Sequence, residues 1–337
     1  MDIVQKKFGV QPSLNVLQEE ARSFDTQIEK RGAHGHVPDL RNSGRCEWFY
    51  NNVWRDQVYA DLFYGEIVRQ IIAYSQKHLD KPFSKISILE IACGPGHISL
   101  ELARNGCSVV GIDLSPGAIE IARQTALASA PEILRGSLKY LCGDVDQLVD
   151  DGGFDLIVFC NALHHFGDQE KILAQASRLL APDGLVYVSE PVREKMRNSD
   201  ALLIHLIREL LVVGDRYYTA GTMTTDPQRL QQILDDIKNE FGYRDASGGK
   251  VQSPLDNEAS FSTMYPVLQK TFDELEMQKD FAFFDRVVGG LRLATIDQEQ
   301  ATARWLAMVD RLLCKDDIIQ PGQFHFVGRK QNIATTA

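Results

Sequence analysis

The strongest constraint on the fold of this chain is the segment from Ile86 to His97, which reads ISILEIACGPGH. Its apolar half has the composition of a buried strand, carries an acid at Glu90, and leads into a glycine-rich turn. A second apolar run ends in another acid, Asp113. The carboxyl ends of parallel strands meet at one edge of a sheet, where α/β proteins hold nucleotide-like ligands. The segment therefore predicts an α/β fold with such a ligand at the strand ends.

From residue 85 onward, apolar runs alternate with helical patterns. We expect strands at 86–91, 108–112, 138–142, 154–159 and 185–189, and helices at 98–105, 116–129 and 169–180. Ser115 is the expected N-cap of the second helix, with Pro116 at its first position. The alternation predicts a doubly wound, Rossmann-like sheet with right-handed crossovers. Beyond it we expect helices at 200–213 and 227–241, a loop over 245–260, a strand at 275–284, a helix including 303–313, and a last strand at 323–329.

The glycine spacing narrows the class of ligand. A dinucleotide fingerprint needs a third glycine, but Ser99 stands at that position after Gly94 and Gly96. A phosphate-binding Walker A loop needs a Gly-Lys-Ser/Thr ending, which does not occur here. The turn therefore gives little support to pyrophosphate binding.

Five segments, in order, resemble the class I S-adenosylmethionine-dependent methyltransferases. They are the glycine-rich motif at 90–96, Asp113, Asp144, the strand with its exit at 154–166, and the segment at 180–190. Ala92 replaces the family's usual first glycine, and Asp183 stands where glycine is commoner. The resemblance covers residues 85–190. It implies a seven-stranded, mostly parallel sheet with an N-terminal helical segment and a helical insertion after strand 5.

The resemblance also implies S-adenosyl-L-methionine as the cofactor. Asp113 is expected to accept hydrogen bonds from its two ribose hydroxyls, and Asp144 from its adenine amino group. Glycines in the turn let main-chain N–H groups approach the carboxylate of the amino acid tail. The predicted cofactor residues are Glu90, Ala92, Gly94, Gly96, Asp113, Leu114, Asp144, Val145 and Asn161.

Two histidines are candidates for a general base. Residues 163–168, LHHFGD, resemble the segment of small-molecule O-methyltransferases that carries a catalytic histidine, which aligns with His164. His165 is the second candidate, and a packed or loop-fixing histidine is the alternative for each. The expected reaction is methyl transfer to oxygen or nitrogen of a small molecule, since proton removal assists such nucleophiles. Carbon methylation of a ring or isoprenoid-type substrate, a protein or RNA methyltransferase, and a non-catalytic binding module remain alternatives.

Parts outside the core are expected to select the substrate. Residues 1–80 are interpreted as a helical lid or extension, and residues 81–337 as the core with a helical insertion at about 195–270. Trp54, Tyr59, Tyr217 and Tyr218 are the candidate substrate residues, with simple packing as the alternative role.

The composition bears on partners and location. A net charge of −10 argues against non-specific binding to nucleic acid or an anionic membrane. The apolar stretch 201–213 is too short to span a bilayer, and its leucine stripe suggests core packing or a homodimer face. Six scattered cysteines without a CxxC pair favour a cytoplasmic protein. His34 and His36 form a lone His-x-His pair, which gives little support to a metal site.

Overall fold

The computed structural model describes residues 14–129, 136–148, 153–242, 244 and 259–331. Its strands are β1 (Ser87–Ile91), β2 (Ser108–Asp113), β3 (Ser137–Cys142), β4 (Phe154–Cys160), β5 (Leu180–Pro191), β6 (Phe272–Asp280) and β7 (Gln323–Lys330). The α-helices in this part of the chain are α1 (Leu14–Ala33), α2 (Gln57–Ala60), α3 (Glu66–His78), α4 (His97–Arg104), α5 (Pro116–Ala128), α6 (Gln169–Leu179), α7 (Asn198–Val213), α8 (Pro227–Phe241), α9 (Phe261–Thr271), α10 (Phe284–Val287) and α11 (Ile296–Lys315).

The strands form one sheet with the order β3-β2-β1-β4-β5-β7-β6. Strands β1 to β5 pair in parallel, while β7 is antiparallel to both β5 and β6. The direction of winding reverses between β1 and β4, and doubly wound sheets open a ligand crevice at such a point. The predicted seven-stranded, mostly parallel, Rossmann-like sheet is confirmed.

Side-chain caps explain where two of the helices begin. The Ser115 hydroxyl accepts a hydrogen bond from Ala118 N at 3.0 Å, so the predicted cap of α5 is confirmed. Helix α11 includes the predicted stretch at 303–313 and begins at Ile296, because Thr295 caps it by accepting from Gln298 N.

The predicted strand at 275–284 was wrong at both ends. Strand β6 starts at Phe272, directly after α9, and stops at Asp280. Phe281 then adopts a φ of 51°, which breaks the strand. The next three backbone N–H groups, at residues 282–284, donate to the buried carboxylate of Asp310 instead of to a strand.

The segment before β1 shares the core of the sheet. Trp54, Ile67 and Ile71 lie in the same buried cluster as Ile88 of β1. The division at residue 80 therefore stays an interpretation, with no break in packing at that point.

The predicted helices at 200–213 and 227–241 correspond to α7 and α8, while the predicted loop at 245–260 lies outside the described residues except at its last two positions. None of the described helices has the length and apolar character to cross a membrane.

A buried ion pair fixes the segment before β1 to helix α4. Arg104 donates through both terminal nitrogens to the Asp39 carboxylate, at 2.6 and 2.7 Å, and both side chains are buried. We predict that Asp39→Ala lowers the free energy of unfolding by about 3 kcal/mol, because it removes both short hydrogen bonds from a buried guanidinium to this carboxylate and leaves the more distant Glu101 carboxylate, at 3.6 Å.

Chemical denaturation checks that value against a matched control. Asp61→Ala breaks the pair with Arg69, in which both side chains are about half exposed, and should cost less than about 1 kcal/mol. Equal losses in the two variants would show that the buried pair does not hold the segment.

Candidate cofactor and active site

A cavity of about 510 Å³ lies at the carboxyl ends of β1, β2 and β4. It is lined by the turn after β1, the end of β2, the exit from β4 and one face of α1. Its volume is typical of small-molecule sites, and its position is the ligand crevice of doubly wound sheets. The cavity therefore lies at the edge where the sequence predicts the ligand.

The glycine-rich turn has a left-handed backbone at three positions. Ala92, Gly94 and Gly96 adopt φ values of 54°, 52° and 79°. A Cβ on Gly96 would overlap the Tyr140 hydroxyl, so this position requires glycine. Ala92 tolerates a strain of about 1 kcal/mol at the position where glycine was expected. Ala92 and Gly94 line the cavity, whereas Gly96 shapes the turn without lining it.

Asp113 connects the turn to the next helix. One carboxylate oxygen accepts from Gly94 N and the other from Ser115 N, both at 2.8 Å. Burial raises the pKa of this carboxyl, and those two hydrogen bonds oppose the rise. Each carboxylate oxygen can accept a further hydrogen bond, so a cavity-lining Asp113 can still receive two ligand hydroxyls.

Glu90 is a buried acid on the cavity wall. Its carboxylate accepts a hydrogen bond from the hydroxyl of Ser99, the residue that replaces the third glycine of a dinucleotide fingerprint. Burial raises the pKa of Glu90 to about 7, although the Ser99 bond opposes the shift. The described residues place no cation within ion-pair distance of Glu90, so a cationic ligand group is its natural partner.

The remaining predicted cofactor residues also line the cavity: Leu114, Asp144, Val145 and Asn161. Asp144 caps the short turn at Val145–Gln147 by accepting from Asp146 N at 3.0 Å. Asn161 adopts a φ of 51°, and its side-chain oxygen accepts from Gln323 Nε2 at 3.0 Å. Eight of the nine predicted cofactor residues are thus brought together, and the ninth is Gly96.

His164 is buried and does not line the cavity. Its Nδ1 lies 2.6 Å from Glu190 Oε2, and the other Glu190 oxygen accepts from the backbone N–H groups of Ala162 and Leu163. Burial lowers the pKa of His164, and the carboxylate opposes that shift. A neutral imidazole that donates from Nδ1 to Glu190 explains this geometry. His164 therefore fixes the exit from β4.

His165 faces the cavity. Its ring lies 4.1 Å from the ring of His164 and meets Phe24 of α1 edge to face at 5.4 Å. Of the two candidate bases, His165 is the one that a ligand in the cavity can reach. Motif alignment favoured His164, because an alignment does not report which side of a turn each side chain occupies.

The four candidate substrate residues lie outside the cavity lining. Tyr59 is fully buried and donates to Glu299 at 3.2 Å, while Trp54 packs its ring edge to face against His97. Tyr217 is buried, and Tyr218 is partly exposed beside it. In this structure these aromatic side chains pack the core and its surface, which is the alternative role that the sequence left open.

The face of α1 that closes the cavity was not predicted from the sequence. Its lining residues are Leu17, Glu20, Ala21, Phe24, Gln27, Ile28 and Arg31. They recur every three or four positions, so a helical periodicity search over the N-terminal segment would have found them. Asp25, on the same helix, accepts from the Ser115 hydroxyl at 2.5 Å and from Gly117 N at 2.9 Å. This contact fixes α1 to the start of α5.

Arg31 brings a positive charge to the cavity. Among the described residues it hydrogen-bonds to Gln27 at 3.4 Å and has no carboxylate within ion-pair distance. Burial lowers its pKa, as expected for a cation without an anionic partner. Arg31 can therefore bind an anionic ligand group, at the same cavity as the acid Glu90.

The described residues hold no group of three or more His, Cys, Asp or Glu side chains suited to a metal ion. His36 instead packs its ring against Phe49 and Trp54. The cavity thus combines a hydroxyl acceptor, a buried acid, a cation that has no carboxylate partner in the described part of the chain, and an open glycine turn. These features fit the ribose, ammonium and carboxylate groups of S-adenosyl-L-methionine.

Comparison with known proteins agrees with this chemistry. Residues 88–184 match the family model described as a methyltransferase domain. The ubiquinone biosynthesis O-methyltransferase of Chelativorans sp. (strain BNC1) is 36% identical over 110 residues, covering 32% of this chain and 42% of that protein. The mitochondrial enzyme of the same name from Arabidopsis thaliana is 30% identical over 167 residues, covering 48% and 51%. The chain spans about half the length of these curated relatives.

A solved structure, the N-methyltransferase NodS from Bradyrhizobium japonicum WM9, superposes with a TM-score of 0.40 at 15% identity, over 80% of this chain and 96% of that chain. Residues 88–184 thus match a methyltransferase domain, and the sheet topology and the cavity around them fit S-adenosyl-L-methionine as the cofactor. The matched segment runs from β1 into β5, so β6, β7 and α1 lie outside it.

The buried charge of Glu90 has a measurable effect on stability. Its pKa of about 7 in the folded protein lies above the ordinary 4.5, so the folded state loses stability as pH rises through this interval. We predict that Glu90→Gln stabilises the ligand-free protein at pH 8, by on the order of 1–3 kcal/mol, and has much less effect at pH 5.

Chemical denaturation at the two pH values measures this difference. The exposed Glu120 provides a matched control, since Glu120→Gln should behave as wild type at both pH values. A Glu90→Gln variant with the same stability change at pH 5 and pH 8 would contradict a buried, reluctantly ionised Glu90.

Proposed function

We propose that this protein transfers the methyl group of S-adenosyl-L-methionine to a hydroxyl oxygen of a small-molecule acceptor. The observation that carries the proposal is a single cavity that joins the glycine turn, Glu90, Asp113 and the accessible imidazole of His165. The relatives are named as O-methyltransferases, which supports oxygen as the acceptor atom. They match about a third to a half of the chain, so they leave the acceptor itself open.

Each part of the cofactor has a partner in the cavity. We assign the ribose hydroxyls to Asp113, the adenine to Asp144 and Val145, the ammonium group to Glu90, and the carboxylate to Arg31. When bound, the cofactor supplies a methyl group already activated by its sulfonium. The protein therefore contributes alignment, exclusion of water and removal of a proton.

His165 is the proposed general base. It lines the cavity, whereas His164 is buried and already engaged with Glu190. A base must come within hydrogen-bond distance of the proton that it removes, and the position of His165 on the cavity wall supports that role. His164 then acts by holding the exit from β4 in place.

The net charge, the exposed apolar side chains of α7 and the free cysteines support the proposed partners and location. A net charge of −10 supports a small-molecule acceptor over a nucleic acid. Leu202, Leu206, Leu210 and Val213 are 46–67% exposed along one face of α7, which supports a homodimer interface. All six cysteines are free thiols, which supports the proposed cytoplasmic setting.

Methyl transfer can be tested on a mixture of candidate acceptors. The protein is incubated with methyl-labelled S-adenosyl-L-methionine and a small-molecule extract from its host, and labelled products are identified by mass spectrometry. We expect a labelled methyl ether that Asp113→Ala abolishes. Label recovered only in protein, nucleic acid or a carbon–methyl product would contradict the proposal.

Substitutions of the two histidines should have different effects, one on turnover and the other on stability. We predict that His165→Gln lowers kcat by about 10²–10⁴, the range for loss of a general base, and leaves the affinity for S-adenosylhomocysteine within about threefold. His164→Ala should instead lower the free energy of unfolding by at least about 2 kcal/mol, because the buried Glu190 charge loses its partner. Wild-type turnover in His165→Gln would exclude it as the base.

A further inference from the structure

The cavity-facing histidine has a carboxylate partner on α1. His165 Nδ1 lies 3.1 Å from Glu20 Oε1, within ion-pair distance. Glu20 is buried, and its neighbour one helical turn later, Phe24, packs edge to face on the same imidazole. Two residues of α1 therefore hold the His165 ring, one through a carboxylate and one through an aromatic edge.

The position of the carboxylate decides which ring nitrogen carries the proton. A neutral imidazole has one N–H donor and one lone pair, and a hydrogen bond at one nitrogen fixes the role of the other. The carboxylate of Glu20 beside Nδ1 favours the tautomer that carries its N–H on Nδ1, and this tautomer leaves the lone pair on Nε2. Only a lone pair can take up a proton, so this tautomer makes Nε2 the basic atom of His165.

Each of the two neighbouring histidines has its own carboxylate. Glu190 of β5 lies at Nδ1 of His164, and Glu20 of α1 lies at Nδ1 of His165. The first pair is built entirely within the sheet and its loops. The second pair forms only when α1 lies over the cavity, because Glu20 belongs to that helix and reaches His165 across it.

We propose that Glu20 is a positioning residue that completes a carboxylate–imidazole pair with His165 and so makes the base competent only when α1 covers the cavity. This inference rests on the proposed role of His165 as the base. Glu20 acts through the imidazole. In the proposed step, Nε2 takes up the acceptor's proton, and the Glu20 carboxylate stabilises the imidazolium that results.

Another contact of α1 allows this role to be separated from simple anchoring. Asp25 fixes the same helix by accepting from Ser115 and Gly117, and its carboxylate bonds to the start of α5. Substitution of Asp25 therefore loosens α1 without removing the carboxylate at His165. Substitution of Glu20 removes that carboxylate and leaves the Asp25 anchor in place.

Nitrogen-15 NMR of the histidine side chains in the ligand-free protein tests the inference. The shifts of Nδ1 and Nε2 report which nitrogen is protonated in a neutral ring, and His165→Gln identifies the His165 signals. We expect the Nδ1–H form in wild type and in Glu20→Gln, whose amide oxygen can still accept. In Glu20→Ala we expect a loss of most of this population to the Nε2–H form, with Asp25→Ala retaining the wild-type form.

An unchanged tautomer in Glu20→Ala would overturn the inference, as would the same change in all three variants. The second result would show that any disturbance of α1 alters His165, without a specific role for the carboxylate. Far-ultraviolet circular dichroism and melting curves establish that each variant is folded. Because the measurement needs neither cofactor nor acceptor, its failure is distinguishable from failure of the proposed methyl transfer.

Discussion

The site depends on the carboxylate of Asp113, at the end of β2. One of its oxygens holds the glycine turn through Gly94 N, and the other holds the start of α5 through Ser115 N. The Ser115 hydroxyl in turn donates to Asp25 and thereby fixes α1 over the cavity. A single acid thus joins the turn, the second strand and the covering helix. It also keeps free acceptor capacity for two ligand hydroxyls.

The same arrangement places buried charged groups on the cavity wall. Burial raises the pKa of Glu90 to about 7 and also raises that of Asp113, while it lowers the pKa of Arg31, which lines the same cavity. Buried groups of this kind gain most from a ligand that carries the opposite charges. The amino acid tail and the sulfonium of the cofactor carry such opposite charges. Pairing with them removes the free-energy penalty of the buried groups and so favours cofactor binding.

The sequence predicted those features that are encoded locally. The parallel strands were mainly apolar runs, and the acids Glu90, Asp113 and Asp144 lay at or just after the strand ends. The covering residues of α1 were missed, because Glu20 and Phe24 lie far in sequence from His165 and only the fold brings them together. The choice between His164 and His165 depended on the conformation of one turn. The packing roles of Trp54 and Tyr59 likewise follow from long-range contacts.

Calorimetric titration with S-adenosylhomocysteine tests the central claim most directly, since it asks whether this cavity binds the product of the cofactor. We predict one site per chain in the wild-type protein, and at least a tenfold loss of affinity in Asp113→Asn, which keeps the size of the side chain but removes its charge. Glu120→Gln, on the exposed face of α5, should bind as wild type does. Equal affinity in Asp113→Asn, or no binding by the wild-type protein, would contradict the assignment of this cavity to S-adenosyl-L-methionine.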